Sequence, residues 1–248
     1  MSPRTSNSSV SNDRHNSDVV YPSLDLDVFI EGNCFRSSSV DMFVKAGCTI
    51  IEEVKDADLV CFLGGEDINP VLYGEDPLRG THFNTARDER EMETYGTALT
   101  NKIPMMGICR GMQFIHALNG GKLYQDVDNH CRPHMIEDVF SGQTIMSSSM
   151  HHQMCIFDDT LDMFAIAYAV EKTASRYQTQ LVVLQDSKHR DLEAAVYPES
   201  LCIAFQGHPE LGDLPEYTNW CLERVEEFLF GLEYQEEFVY TRNGLLGT

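Results

Sequence analysis

The chain has 248 residues, 42% hydrophobic and 23% charged, enough for one large domain with a full core or for two small ones. A formal net charge of −21 repels phosphate backbones and anionic membrane surfaces, which disfavours nucleic acid and membranes as direct partners. No apolar run approaches the ~20 residues that a membrane-spanning helix needs.

Residues 1–20 read as a disordered polar tail without the apolar core of a signal peptide. A single domain is expected over 21–235, followed by a C-terminal tail, 236–248. Within the domain "LDVFI" (26–30) reads as a strand, and "SSSVDMFVKAGC" (37–48) as a helix capped by serine and closed at Gly47. "CTIIEEV" (48–54) and "ADLVCFL" (57–63) are further strands, the second ending at Gly64-Gly65. A loop rich in Gly, Pro and Asp leads to a helix over 86–100. "IPMMGI" (103–108) is a strand and "RGMQFIHALNG" (110–120) a helix. Strand–helix alternation of this kind implies a parallel α/β sheet. "QTIMSS", "MFAIAYAV", "QLVVLQD", "LEAAVY" and "LCIAFQ" then read as strands of an antiparallel extension. A final amphipathic helix is expected over 215–232. The eight cysteines include no CxxC pair, and several lie in apolar runs. They read as buried thiols of a reducing compartment, the cytoplasm.

"GICRG" (107–111) is a glycine-flanked cysteine between a strand and a helix. Such a turn strains the nucleophile's backbone and leaves no room for a Cβ on either side. It sets Cys109 at a helix N-terminus, where free N–H groups and the helix dipole favour an anionic sulfur. The N–H of Arg110 can donate to an oxyanion. "FQGHPE" (205–210) follows an apolar strand, so His208 falls at the strand edge where open α/β sheets bind ligands. Glu210 can reach the second nitrogen of that ring and fix its tautomer. Gly64-Gly65, at a neighbouring strand end, can supply a second oxyanion donor.

These residues resemble the class I glutamine amidotransferases, and within them the peptidase C26 branch that includes gamma-glutamyl-gamma-aminobutyrate hydrolase. The segments carrying the resemblance are "GGEDINPVLYGE" (64–75), "RDERE" (87–91), "PMMGICRGMQFIHALNGGKLYQDV" (104–127), "SSSMHHQ" (147–153) and "FQGHPE" (205–210). The resemblance spans roughly residues 24–230. It implies a flavodoxin-like three-layer α/β sandwich, a mostly parallel central sheet with an antiparallel extension and a nucleophile elbow. It also implies Cys109 as nucleophile, His208 as general base and Glu210 as its orienting partner. Gly65 and the N–H of Arg110 would form the oxyanion hole, and Gln113, His152 and Gln153 would contact substrate. Two positions depart from the family: Leu63 replaces a frequent Pro, and Gly207 replaces the usual Phe or Trp before the histidine. The missing ring is expected to open space beside the imidazole.

The expected activity is cysteine-dependent hydrolysis of gamma-glutamyl amides through a glutamyl-thioester. The alternative is a glutaminase subunit that delivers ammonia to a separate synthetase or ligase partner. "HCRPH" (130–134) and "HHQMC" (151–155) gather four His and two Cys, but their spacing matches no standard zinc pattern. Pro133 also disfavours a regular helix carrying His130 and His134. No metal and no cofactor are therefore expected. His116 reads as a packed histidine, and Arg87 and Asp88 as braces for the loop after Gly65.

Overall fold

A computed structural model describes residues 20–187 and 189–231. The tail assignments before Val20 and beyond residue 235 lie outside the described residues.

Nine strands form one sheet: β1 (Asp27–Glu31), β2 (Thr49–Ile51), β3 (Leu59–Phe62), β4 (Met105–Ile108), β5 (His134–Asp138), β6 (Thr144–Ser147), β7 (Phe164–Ala169), β8 (Leu192–Tyr197) and β9 (Cys202–Phe205). Their spatial order is β2-β1-β3-β4-β9-β8-β7-β5-β6. The five strands from β2 to β9 run parallel. From β9 onward each neighbour is antiparallel. The parallel part has the flavodoxin-like strand order, in which ligands collect at the C-terminal strand edge.

Among the described residues four α-helices complete the layers: α1 (Arg36–Lys45), α2 (Thr85–Asn101), α3 (Arg110–Leu118) and α4 (Pro215–Val225). The period-two alternation of the strands assigns the faces. Leu59, Cys61 and Leu63 join Met42 and Phe43 of α1 and Trp220 and Leu222 of α4. Val60 and Phe62 join Tyr95 and Ala98 of α2 and Met112 and Phe114 of α3. Both faces of β3 and β4 are covered, which is why these strands are apolar throughout.

Several elements differ from the sequence reading. Helix α1 has no serine cap: its N-cap is Phe35, in a left-handed conformation with φ 51°. Arg36 donates to the carbonyls of Ile30 and Gly32 at 2.6 and 3.1 Å, and the helix starts there. The strand read over 48–54 is limited to Thr49–Ile51, because a 3-10 turn begins at Val54. "QLVVLQD" contributes only Val183–Leu184, paired with Tyr177–Gln178 in a small separate sheet. β5 was not anticipated, since "HMIED" carries two acids and a histidine. The last helix ends at Val225 and continues as a π-helical turn, Glu226–Phe230.

Candidate active site

The turn after β4 gives Cys109 φ 52° and ψ −105°, outside the regions an L-residue prefers. A Cβ on Gly107 would lie 2.6 Å from the Gly111 carbonyl group. One on Gly111 would collide with the Phe62 carbonyl of β3. Both glycines therefore let β3, β4 and α3 close around the cysteine. The Cys109 N–H donates to Phe205 O of β9 at 2.7 Å, which ties the elbow to the strand that delivers His208. Arg110 is the first residue of α3, so its N–H has no carbonyl one turn back to bond.

His208 follows β9 by three residues. Its Nδ1 lies 2.7 Å from Glu210 Oε1, and its ring and the Cys109 side chain both border Gly64. Burial alone would lower its pKa. The neighbouring Cys109 and Glu210 side chains outweigh burial and push it up to about 10. The His208 N–H donates to Ser148 Oγ at 2.7 Å, which fixes the loop. β3 runs beside β4 and brings Gly64 to the same place. A Cβ on Gly64 would sit 2.9 Å from His208 Cε1 and 3.5 Å from Cys109 Cβ, so only glycine fits between them.

The next residue, Gly65, has φ +143°. Its loop is held from α2, where Arg87 donates to the carbonyls of Leu63 and Gly64 at 3.1 and 2.9 Å. Arg87 also pairs with Glu91 and Glu66, each at 2.7 Å. The Arg110 side chain turns away from the cysteine and pairs with Asp88 at 2.6 Å and with Glu91. One buried network thus braces both the glycine loop and the start of α3. The bracing role read for Arg87 and Asp88 corresponds to these contacts. That Arg110 joins them was not foreseen.

A cavity of about 180 Å³ opens at Cys109 and is lined by Gly65, Asp67, Gln113, His152 and Gln153 among others. The fold therefore gathers Cys109, His208, Glu210, Gly65, Arg110, Gln113, His152 and Gln153 at one sheet edge.

The Peptidase C26 family model matches residues 43–210, most of the chain. This chain belongs to the Peptidase C26 family. A glutamine amidotransferase-like protein of Lactococcus lactis subsp. lactis, YvdE, is 37% identical over 228 residues, covering 79% of this chain and 85% of that protein. A protein of Schizosaccharomyces pombe named as a glutamine amidotransferase is 29% identical over 188 residues, covering 69% of this chain and 72% of that one. A solved glutamine amidotransferase from Thermotoga maritima has TM-score 0.50 at 15% identity, covering 88% of this chain and 93% of that one. PurLQS from the same organism has TM-score 0.53 at 14% identity, covering 91% and 99%. At these identities the two structures speak for the fold, that of the class I glutamine amidotransferases.

In this Peptidase C26 chain His152 is half-exposed at the cavity. It contacts Asp67 Oδ1 at 2.9 Å and Asp126 Oδ1 at 3.5 Å. The hydrogen bond to Asp67 is the main reason its pKa is raised. Gln113 Nε2 donates to the Gln153 carbonyl at 3.0 Å. The Gln153 side-chain amide is buried, and among the described residues neither its Nε2 nor its Oε1 has a partner. His116 is a packed residue, bonded to Tyr197 Oη at 2.8 Å and lowered to about 4 by burial.

Gly207 corrects an expectation. The position leaves no extra room: a Cβ would meet Tyr217 Oη at 2.6 Å, the Ser148 carbonyl at 2.8 Å and Ser147 Oγ. The aromatic ring beside the imidazole comes instead from Phe35, whose ring meets His208 edge-on with centroids 5.5 Å apart. Sequence reasoning missed Phe35, which lies before residue 43, where the match to the family model begins. Gly207→Ala is therefore expected to lose about 1–3 kcal/mol of stability through overpacking. A lower urea midpoint at an unchanged slope is the result expected.

His130, His134 and His151, which spacing did not join, also meet in the fold. Their rings cluster with centroids 4.8 Å (His130–His134) and 4.5 Å (His130–His151) apart. Glu193 Oε1 on β8 lies 3.1 Å from His130 Nε2 and 2.9 Å from His134 Nε2. Burial would raise the Glu193 carboxyl, but these two rings pull it down to about 2.

Proposed function

We propose that this Peptidase C26 protein is a cysteine-dependent hydrolase of gamma-glutamyl amide bonds. The observation carrying this reading is the meeting of Cys109 with the His208 ring at Gly64, that ring being held by Glu210, beside a cavity with an uncommitted Gln153 amide. The Cys109 sulfur attacks the side-chain amide carbonyl of the substrate. The oxyanion is held by the N–H groups of Gly65 and Arg110, each donor worth about 2.7–4 kcal/mol of barrier. The protonated His208 ring gives its proton to the departing nitrogen, so ammonia or an amine leaves and a glutamyl-thioester remains. His208, now neutral, takes a proton from water. The hydroxide equivalent attacks the thioester, and glutamate leaves as sulfur and ring return to their starting state. Gln113, His152 and Gln153 hold the glutamyl part. Eight free thiols fit a reducing compartment, and we assign the protein to the cytoplasm.

The substrate test is glutamate release from glutamine and from a panel of gamma-glutamyl amines by the isolated chain. Turnover of an amine conjugate is the result expected. The strongly acidic chain, with a net charge of −21 suited to docking a basic partner, favours one second reading, a glutaminase subunit for a synthetase partner. It predicts near silence that a partner relieves. Absence of turnover, together with failure of a glutamine affinity label to modify Cys109, would remove both readings.

Arg87 supplies a further prediction. Its two bonds to the Leu63 and Gly64 carbonyls orient the Gly65 peptide. Arg87→Ala is expected to lower kcat about 10²-fold, the size of a lost oxyanion donor. KM should change little, because the substrate contacts lie elsewhere.

A further inference from the structure

Beside the cavity, which His151 helps to line, His130, His151 and Glu193 each place one ligand atom within 4.8 Å of the other two, and all three residues are buried. They come from distant parts of the chain. His130 precedes β5, His151 follows β6, and Glu193 lies on β8.

Each ring is oriented through Nδ1. His151 Nδ1 is 2.7 Å from the Gln153 carbonyl, and His134 Nδ1 is 3.2 Å from that of Arg132. His130 Nδ1 bonds the Thr173 hydroxyl and lies 4.0 Å from an Asp191 carboxylate oxygen. A carbonyl only accepts, so His151 carries its proton on Nδ1 and turns a lone pair at Nε2 toward the cluster. Rings anchored this way through their outer nitrogen are typical of metal ligands.

A second observation points to the same spot. Among the described residues, His151 Nε2 and Glu193 Oε2 are buried without a hydrogen-bond partner. Both are acceptors, and two buried acceptors gathered with a third donor atom are costly unless a cation joins them.

We propose that His130, His151 and Glu193 bind a divalent transition metal of the zinc class. Imidazole and carboxylate donors suit zinc or cobalt, whereas calcium and magnesium favour all-oxygen sets. Tetrahedral zinc with bonds of about 2.0–2.1 Å sets its ligands about 3.3 Å apart. The widest separation here therefore closes by about 1.5 Å on binding. His134, 2.9 Å from Glu193 Oε1, is a further donor for a closed structural site. Such a site would pin His151 to β8, and with it the adjoining His152 and Gln153 of the cavity. Standard zinc spacings and a helix carrying His130 and His134 do not describe this group, because His134 opens a strand and the carboxylate lies about 60 residues further on.

The test is titration of Co²⁺ into the full chain after treatment with a chelator. We expect visible d–d absorption saturating at one equivalent, displacement by Zn²⁺ and a raised melting temperature. Glu193→Gln and His130→Ala should each weaken Co²⁺ binding about 100-fold or more. Cys109→Ala and His152→Ala should retain it, which excludes the cavity thiol and the exposed His152–Asp67–Asp126 group. The wild-type titration decides even where a variant does not fold. A folded wild-type chain that shows neither the absorption nor a melting shift overturns the proposal. So does a signal that survives both Glu193→Gln and His130→Ala.

Discussion

Cys109→Ala is expected to lower kcat on the order of 10⁶-fold while substrate still binds, because it removes the atom that forms the covalent bond. The oxyanion donors and the glutamyl contacts are contributed by other residues, so residual catalysis above the uncatalysed rate should remain. Equilibrium dialysis with labelled substrate checks binding, and single-turnover assays check chemistry. Undiminished turnover would refute the nucleophile assignment. The other cysteines should not substitute. Burial raises the pKa of Cys61, Cys155, Cys202 and Cys221. Buried neutral thiols are poor nucleophiles. A glutamine affinity label should therefore modify Cys109 alone among these five, and mass spectrometry of the labelled protein reads this directly.

The parts of the site legible in the sequence are those whose causes are local. The elbow needs small residues at 107 and 111 because strand, turn and helix meet within five residues. His208 and Glu210 are two residues apart, and one 3-10 turn sets their contact. The parallel half of the sheet was equally legible, since strands covered on both faces are apolar throughout. What sequence reading missed is held by distant groups. Gly207 was read as open space, yet its neighbours Ser147, Ser148 and Tyr217 fill that space from other elements. Arg110 was noticed for its N–H alone, and its buried side chain pairs with two acids of α2. "QLVVLQD" has the composition of a core strand, but Val183 is half-exposed and the segment joins a small outer sheet. The antiparallel half carries polar strands such as β5 because their charges find partners inside. Hydropathy alone does not reveal this.

Glu210→Gln is expected to lower kcat about 10⁴-fold with little structural change, the size of effect seen when a triad carboxylate becomes an amide. The amide nitrogen can donate to Nδ1, so the ring proton moves to Nε2. A ring in that tautomer cannot take a proton at Nε2, the nitrogen that residue 210 leaves free. The same substitution should alter stability against pH. In the folded wild type His208 titrates at about 10, above its ordinary value of 6.5. Between these values the native ring holds a proton that the unfolded ring has lost. Its contribution to stability is therefore complete below pH 6.5 and is lost as the pH rises towards 10. Without the Glu210 charge the folded pKa moves down, and this loss should become shallower and shift to lower pH. Urea unfolding from pH 6 to 9.5 tests the point: parallel curves for wild type and Glu210→Gln would show that the carboxylate does not hold the proton on His208.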